Sequence, residues 1–150
     1  MRKLVLAISL VLATTPAVAS DQTDVMAVVH QFMDGLNKGD VKTALAACAS
    51  PSSIIDEFPP YAWQGATSCA DWARDFEAFN KTNGISVPIA TLAKPKHVDI
   101  TGEHAYVVAP ATYTYKQGGK KVTEAGSMMT LALQKSASGW LITSWAWSKH

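Results

Sequence analysis

Few side chains in this sequence of 150 residues have the types and spacing that chemistry requires. The two cysteines are 21 residues apart, without a Cys-x-x-Cys pair and without a histidine spaced to partner either one. The histidines share no ligand-like spacing, so we expect neither a metal site nor a cofactor. No Gly-x-Ser-x-Gly elbow, phosphate loop or dinucleotide fingerprint occurs, so acyl transfer and nucleotide chemistry have no support. The residues concerned are Cys48, Cys69, His30, His97, His104 and His150.

Aromatic side chains are the groups best able to recognise a ligand, because the sequence holds five Trp, four Tyr and four Phe. With 48% hydrophobic and 17% charged residues, the chain can bury a sizeable core and falls outside the disordered class. The 13 basic and 12 acidic residues give a net charge of +1. Because that balance provides no basic face for polyphosphate, we do not expect nucleic acid as a partner.

The N-terminal residues have the three-part pattern of a secretory signal peptide. Arg2 and Lys3 precede an apolar run from Leu4 to Leu12, and the small-residue motif Ala17-Val18-Ala19 follows. The run is too short for a retained membrane anchor, which needs about 20 residues to cross a bilayer. We therefore predict a signal peptide over residues 1–19 and a domain over residues 20–150 that is periplasmic or secreted, with no membrane attachment after cleavage.

Export would place Cys48 and Cys69 in an oxidising compartment, where a pair of cysteines is more often bridged than free. A reactive thiol pair is the competing interpretation, and the spacing does not favour it. We expect a disulfide, which for a loop of this length contributes about 3 kcal/mol to the free energy of unfolding.

The N-terminal part of the domain predicts a pair of helices. Apolar residues at steps of four, three and four form one buried stripe of a first helix, which Asp21 or Asp24 can cap. Asn37-Lys38-Gly39 ends this helix, and Asp40 caps a shorter second helix. The stripe of the first helix is Val25, Val29, Phe32 and Leu36, and that of the second is Val41, Leu45 and Cys48.

A short strand and a third helix follow. The β-branched segment Ser53–Phe58 predicts one strand that ends at Pro59-Pro60, and residues 61–65 are expected to form a loop. Thr67 or Ser68 caps the third helix, which ends before Gly84. Its apolar face is Cys69, Trp72, Phe76 and Phe79.

The second half of the chain predicts an antiparallel meander. Turns at Thr101-Gly102, Gln117-Gly118-Gly119 and Ser138-Gly139 separate runs rich in Val, Thr, Tyr, Ile and Trp. This order of elements is α+β, and the first helix has to cover the concave face of a curved sheet. A cone with one open end results, which is a common place for a small-molecule pocket.

The order of elements and the junction Leu36-Asn37-Lys38-Gly39-Asp40 resemble the nuclear transport factor 2-like superfamily, which includes SnoaL-like cyclases and ketosteroid isomerases. The resemblance covers nearly the whole mature chain. It implies a cystatin-like cone of three N-terminal helices with a curved antiparallel sheet wrapped around the first helix. The block from Ile54 to Gly65 resembles exported SnoaL-like proteins and is specific to a subgroup rather than to a reaction. The register with the isomerases rests on Ala27-Val28-Val29, Leu36-Asn37, Gly39-Asp40, Asp56 and Gly65.

The resemblance places Asp56 where ketosteroid isomerases have their general base, a carboxylate whose pKa is raised by desolvation. In those enzymes a tyrosine and a protonated carboxyl group stabilise the enolate. Here the corresponding positions are Phe32 and the segment Ser127-Met128-Met129, so both donors are missing. Because the loss of one such donor costs about 3 kcal/mol, we do not expect efficient steroid isomerisation. Substitute donors are Tyr113 and the indoles of Trp63 and Trp145, with His30 as a further possibility.

We expect the pocket to bind a small apolar or aromatic molecule through Phe32, Trp63, Trp72, Tyr113, Met128 and Trp145. An alternative is a cofactor-independent isomerase, cyclase or dehydratase with Asp56 as base and Tyr113 as electrophile. A third is a scaffold whose pocket is filled by its own side chains. Strict alternation predicts that Trp145 and Trp147 share one face of the last strand with Leu141 and Thr143, and this face is either the pocket wall or the surface of a homodimer.

Overall fold

The computed structural model describes residues 16–149, so most of the predicted signal peptide and His150 lie outside the described residues. Three helices and seven strands follow one another in an α+β order. They are α1 (Pro16–Lys38), α2 (Val41–Leu45), β1 (Cys48–Ile55), β2 (Ala62–Gly65), α3 (Ser68–Thr82), β3 (Ile85–Leu92), β4 (His97–Thr101), β5 (His104–Gln117), β6 (Lys120–Ser136) and β7 (Gly139–Ser148).

The strands form one sheet in the order β2-β1-β7-β6-β5-β3, with β4 paired to β5 beyond the end of β3. The pairs from β3 to β7 are antiparallel, as the sequence predicts for the second half of the chain. β1, however, runs parallel to β7, so the sheet is mixed rather than purely antiparallel.

Helix α1 lies across the sheet and supplies the centre of the core. Val25, Val29 and Phe32 of its predicted stripe are buried, and they belong to one hydrophobic cluster with Leu131 and Ile142 of the sheet. Burying each such side chain contributes about 1.5–3 kcal/mol, which fixes the helix on the sheet. Among residues 16–149, no helix has the length and apolar character needed to cross a membrane.

The start of α1 differs from the prediction. The helix begins at Pro16, so Asp21 and Asp24 lie inside it and cap nothing. Asp21 instead pairs with Lys135 of β6, with 2.6 Å between Oδ1 and Nζ. The predicted apolar stripe is confirmed, but periodicity alone does not define where a helix begins. The start signal in the sequence is Pro16, a residue type favoured at the first position of a helix.

The junction between α1 and α2 follows the sequence. Asp40 caps α2 by accepting a hydrogen bond of 3.1 Å from the backbone nitrogen of Thr43. The Asn37 side chain exchanges two hydrogen bonds with the backbone of Ala90, at 2.8 and 2.9 Å. A side-chain amide that both donates and accepts in this way replaces a missing strand neighbour, so α1 is tied to the edge of the sheet.

β1 is longer than predicted, and its start corrects the assignment of Cys48. This residue lies in β1 rather than on the second helix, and it forms the predicted disulfide with Cys69 of α3. The hydroxyl of Ser68 also donates to the carbonyl of Ser52 at 3.0 Å. Residues 62–65, expected in a loop, form β2 and pair with β1. Together these contacts fix α3 against the first strand.

Two bulges shift the alternation of side chains in β6 and β7. Between the pairs Ala111 with Ser127 and Thr112 with Ala125, β6 holds Gly126 as an extra residue, with φ of 87°. Such a positive φ suits glycine and turns the strand.

In β7, Thr143 is the extra residue, because Leu133 pairs with Ile142 and Ala132 with Ser144. Strict alternation predicts that Trp145 and Trp147 lie on the same face as Leu141 and Thr143. That assignment is wrong, because the bulge brings Trp145 and Trp147 to the same face as Trp140 and Ile142, toward the core.

Candidate functional site

A cavity of about 830 Å³ lies between α1, α3 and the concave face of the sheet. Phe32, Met129 and Trp145 are buried and line its deep end. Exposed residues such as Lys81 and Gln117 line its outer end, so the cavity opens to solvent. A space of this size accommodates a ligand of several fused or linked rings.

The structure brings most of the predicted site residues together. The residues at the cavity are Asp56, Phe32, Trp72, Tyr113 and Trp145. Phe32, Trp72 and Trp145 contact one another, with 4.9 Å between the centroids of the two tryptophans in an edge-to-face arrangement. Such pairs add stability beyond their buried area, so this wall is rigid.

Trp63 and Met128 are not among the lining residues. Trp63 packs against Phe58, with 5.0 Å between ring centroids, and its Nε1 donates to Asp75 at 2.9 Å. Met128 lies on the opposite face of β6 from Met129, which is buried and takes the expected place in the cavity. The bulge at Gly126 is the reason, since one extra residue exchanges the two faces of a strand.

Asp56 stands just after β1 at the cavity wall and has two hydrogen-bond donors. Its Oδ1 accepts from the backbone nitrogen of Glu57 at 2.7 Å, and its Oδ2 accepts from Nε1 of Trp72 at 2.8 Å. Burial raises the pKa of Asp56 to about 6, although both hydrogen bonds oppose the rise. The negative charge of Glu57 adds to it. The carboxylate is therefore largely ionised at neutral pH and still basic enough to accept a proton.

Several polar atoms at the cavity have no hydrogen-bond partner among residues 16–149. Two are donors, the hydroxyl of Tyr113 and Nε1 of Trp145, and a third is the acceptor Oδ1 of Asn80. Burial raises the pKa of the Tyr113 hydroxyl, and the neighbouring Tyr115 and Glu124 raise it further, so the phenol stays protonated. Since buried polar groups are nearly always paired in native proteins, these atoms mark places where a ligand or water can bind.

Glu124 is one of the cavity residues that were not predicted from the sequence. Its Oε1 accepts a hydrogen bond of 2.8 Å from the hydroxyl of Tyr115. Its Oε2 lies 3.5 Å from Nζ of Lys149, which is also 3.6 Å from Oε2 of Glu57. A signal was present, because the two-residue turn at Gly118-Gly119 pairs Glu124 with Tyr113 across the hairpin. Burial also raises the pKa of Glu57, the second carboxylate beside Lys149.

The cavity is lined by the kinds of group that proton transfer next to a carbonyl group requires. They are a base with a raised pKa and two side chains that carry an unpartnered donor. Within residues 16–149, no group of three or more His, Cys, Asp or Glu residues is arranged to hold a metal ion.

Comparison with known proteins places this geometry in context. The family profile described as the SnoaL-like domain matches residues 25–149. No curated protein matches the chain.

Solved structures with low sequence identity share the fold. A nuclear transport factor 2-like protein with a cystatin-like fold from Novosphingobium aromaticivorans has a TM-score of 0.74 at 12% identity, covering 92% of this chain and 87% of that one. A candidate dehydratase of the same family from Streptomyces avermitilis has a TM-score of 0.72 at 16% identity, covering 88% and 97%. A ketosteroid isomerase-like protein from Erwinia carotovora has a TM-score of 0.68 at 18% identity, covering 86% and 95%. At these identities the similarity establishes a cystatin-like fold.

Proposed function

We propose a ligand-binding function for this chain, which belongs to the SnoaL-like domain family. Its cavity binds a small molecule with an apolar or aromatic body. The observation that carries this proposal is a cavity of about 830 Å³ whose wall is built from Phe32, Trp72 and Trp145. The two unpartnered donors, on Tyr113 and Trp145, would orient a polar group of the ligand. A scaffold with a filled pocket would need a closed interior, and the size of the cavity argues against it.

Two measurements test ligand binding. Native mass spectrometry of protein purified from its own host should show a bound small molecule, and a neutral fluorescent probe, N-phenyl-1-naphthylamine, should bind in vitro. Ala73→Trp, in α3 at the cavity wall, should block the probe. Ala78→Trp, on the exposed side of the same helix, is the matched control and should leave binding unchanged. Equal probe affinity in both variants would contradict binding in this cavity.

A second candidate function is a cofactor-independent isomerase, cyclase or dehydratase that acts on a carbonyl compound. It is favoured by the raised pKa of Asp56, about 6, in the cavity that also holds the free hydroxyl of Tyr113. Asp56 would remove a proton from carbon next to the carbonyl group. Tyr113 would donate a hydrogen bond to the carbonyl oxygen as negative charge develops there, with Nε1 of Trp145 as a second donor. Phe32 has no donor to offer, so efficient steroid isomerisation is not expected.

Deuterium exchange at the carbon next to the carbonyl group of 2-tetralone, followed by NMR in D₂O, tests this chemistry without knowledge of the natural substrate. Asp56→Asn should remove the acceleration that the protein gives. Tyr113→Phe should lower it by about 100-fold, the usual effect of losing one such donor. Acceleration that survives Asp56→Asn would remove Asp56 from the mechanism.

We also propose that the protein is exported and forms a homodimer. The disulfide between Cys48 and Cys69 supports folding in an oxidising compartment. The outer face of the sheet carries Ile55, Val108, Met128 and Ala146, which would suit a homodimer surface. N-terminal sequencing of the exported protein should begin at Ser20, and sedimentation should give twice the mass of the mature chain.

A further inference from the structure

The charges around the cavity are unequal. Four acidic residues line it, and only two lysines oppose them. The acids are Asp56, Glu57, Glu77 and Glu124, and the lysines are Lys81 and Lys149. A cavity with apolar walls and an excess of carboxylates attracts a cation and repels an anion.

Aromatic rings stand beside the carboxylates at the outer end. Tyr113 contacts Tyr115, with 5.0 Å between centroids, and Trp147, with 6.3 Å. All three line the cavity, and Tyr115 also donates its hydroxyl hydrogen to Glu124. Faces of Trp and Tyr attract ammonium groups through their negative π-clouds, and recognition of quaternary ammonium ligands commonly combines such rings.

The ammonium group of Lys149 lies between two of these carboxylates. Nζ of Lys149 lies between Glu57 and Glu124, but at 3.6 and 3.5 Å it is beyond good hydrogen-bond distance from either carboxylate. The Lys149 side chain is 58% exposed, and it follows the end of β7. Its amine is therefore a weakly held, tethered cation that a ligand can displace.

Two acceptors without a hydrogen-bond donor complete the pattern. Oε2 of Glu124 is buried and accepts no hydrogen bond within the described residues, and its nearest cation is Nζ of Lys149 at 3.5 Å. Oδ1 of Asn80, on a residue only 8% exposed that lines the same cavity, accepts no hydrogen bond either. Both atoms can accept a hydrogen bond from a protonated amine.

We propose that the natural ligand is an aromatic or cyclic molecule that carries a protonated or quaternary amine, and that this amine binds against Tyr113, Tyr115 and Trp147 between Glu57 and Glu124, where it displaces Lys149. The inference rests on the proposed function, because it concerns the same cavity. The apolar body of the ligand lies on the deep wall of Phe32, Trp72 and Trp145. The amine remains at the open end, where its partial hydration is kept.

Three probes with one ring and different charge test the inference by competition with N-phenyl-1-naphthylamine. They are benzyltrimethylammonium, its neutral isostere neopentylbenzene, and benzenesulfonate. The quantity compared is the ratio of the affinities of the ammonium and the isostere, because apolar contacts cancel in it. In the parent protein benzenesulfonate should bind at least tenfold more weakly than benzyltrimethylammonium.

Charge variants then locate the amine. Lys149→Met removes the tethered competitor and should raise the ratio about tenfold, whereas Glu124→Gln keeps the side-chain shape and should lower it about tenfold. Lys120→Met, at the exposed tip of the hairpin, is the matched control and should leave the ratio unchanged. Unfolding curves confirm that each variant folds.

Each result has one meaning. A ratio that stays constant in Lys149→Met and Glu124→Gln, while the neutral dye still binds, overturns the amine inference and leaves the proposed function standing. If none of the probes binds folded protein, the proposed function fails and the inference fails with it. A ratio that rises and falls as stated supports both.

Discussion

Nε1 of Trp72 donates a hydrogen bond of 2.8 Å to Oδ2 of Asp56, so one aromatic side chain both lines the cavity and orients its candidate base. The ring of Trp72 stacks on Phe76, with 5.3 Å between centroids. Because the ring is fixed by packing, the direction of the carboxylate is fixed as well. The hydrogen bond offsets part of the cost of burial and keeps the pKa of Asp56 near 6 rather than higher.

Trp72→Phe should raise the pKa of Asp56 by about one unit. The variant keeps an aromatic ring but removes the N–H that stabilises the ionised carboxylate, and a hydrogen bond to a charged group contributes about 1.5–3 kcal/mol. The pKa is measured by NMR titration of the carboxyl carbon. Trp63→Phe is the matched control, because it removes an equivalent bond to Asp75 instead. A pKa of Asp56 that stays in place or falls in Trp72→Phe would show that the indole does not support the charge.

Asp56→Asn should change how stability depends on pH. A carboxyl group whose pKa is raised on folding binds its proton more tightly in the folded state, so its contribution is favourable at low pH. That contribution is lost as pH rises from about 4, the ordinary pKa of an aspartate, through about 6, the pKa of Asp56 in the folded protein. The free energy of unfolding of the variant, relative to the parent, should therefore grow over this window by up to about 3 kcal/mol.

Urea unfolding at pH 4 and at pH 8 measures the difference. Any pH-independent cost of the amide cancels between the two conditions. Asp24→Asn, an exposed carboxylate on α1, should show no comparable growth. A parent and variant whose curves run parallel from pH 4 to pH 8 would contradict the raised pKa.

Reduction of the disulfide, or replacement of Cys48 and Cys69 by alanine, should lower the free energy of unfolding by about 3 kcal/mol. The bridge joins β1 to α3 across 21 residues of chain, and its loss increases the entropy of the unfolded state. Denaturant curves with and without a thiol reductant measure the effect. The double alanine variant should not respond to the reductant, which separates loss of the bridge from other effects of the reagent.

Gly35→Ala should destabilise the protein by about 1–3 kcal/mol, because helix α2 lies directly against this position. A Cβ added at Gly35 would lie 2.7 Å from the backbone nitrogen of Ala44, and backbone cannot move aside as a side chain can. Thermal unfolding measures the loss. Asp34→Ala, on the exposed side of the same helix turn, provides the comparison and should have a small effect. An unchanged midpoint in Gly35→Ala would mean that the two helices can separate at low cost.

The helices and the turns could be read from local patterns. The stripe of Val25, Val29 and Phe32 and the cap at Asp40 depend on residues within a few positions of one another, and the structure contains both. The start of α1 was missed, although Pro16, a residue type favoured at the first position of a helix, precedes Asp21. Phe32 lies at the cavity because it belongs to the buried stripe of α1, and Asp56 and Tyr113 lie there as the resemblance implies.

Two of the wrong assignments, in β6 and β7, have a common origin, whereas Trp63 is absent from the cavity because it packs against Phe58. Met128 was expected at the cavity and Met129 is found there, and Trp145 shares a face with Trp140 rather than with Leu141. Both changes follow from single extra residues, Gly126 in β6 and Thr143 in β7. Alternation along a strand follows from the sequence alone. A bulge forms where the sheet bends to pack on the rest of the molecule, so its position depends on the tertiary structure.

The sequence by itself determined the α+β order, the buried stripe of α1, the hairpin turns and the pairing of the two cysteines, since these depend on short-range patterns and on the presence of only two thiols. Only the tertiary structure decided which side chains meet at the cavity. The bulge at Gly126 turns Met129 rather than Met128 to the cavity. The contact of Lys149 with Glu57 and the hydrogen bond from the Trp72 indole to Asp56 join residues from different elements of the fold. The raised pKa of Asp56 has the same origin, because burial is a property of the packed molecule and no single segment carries it.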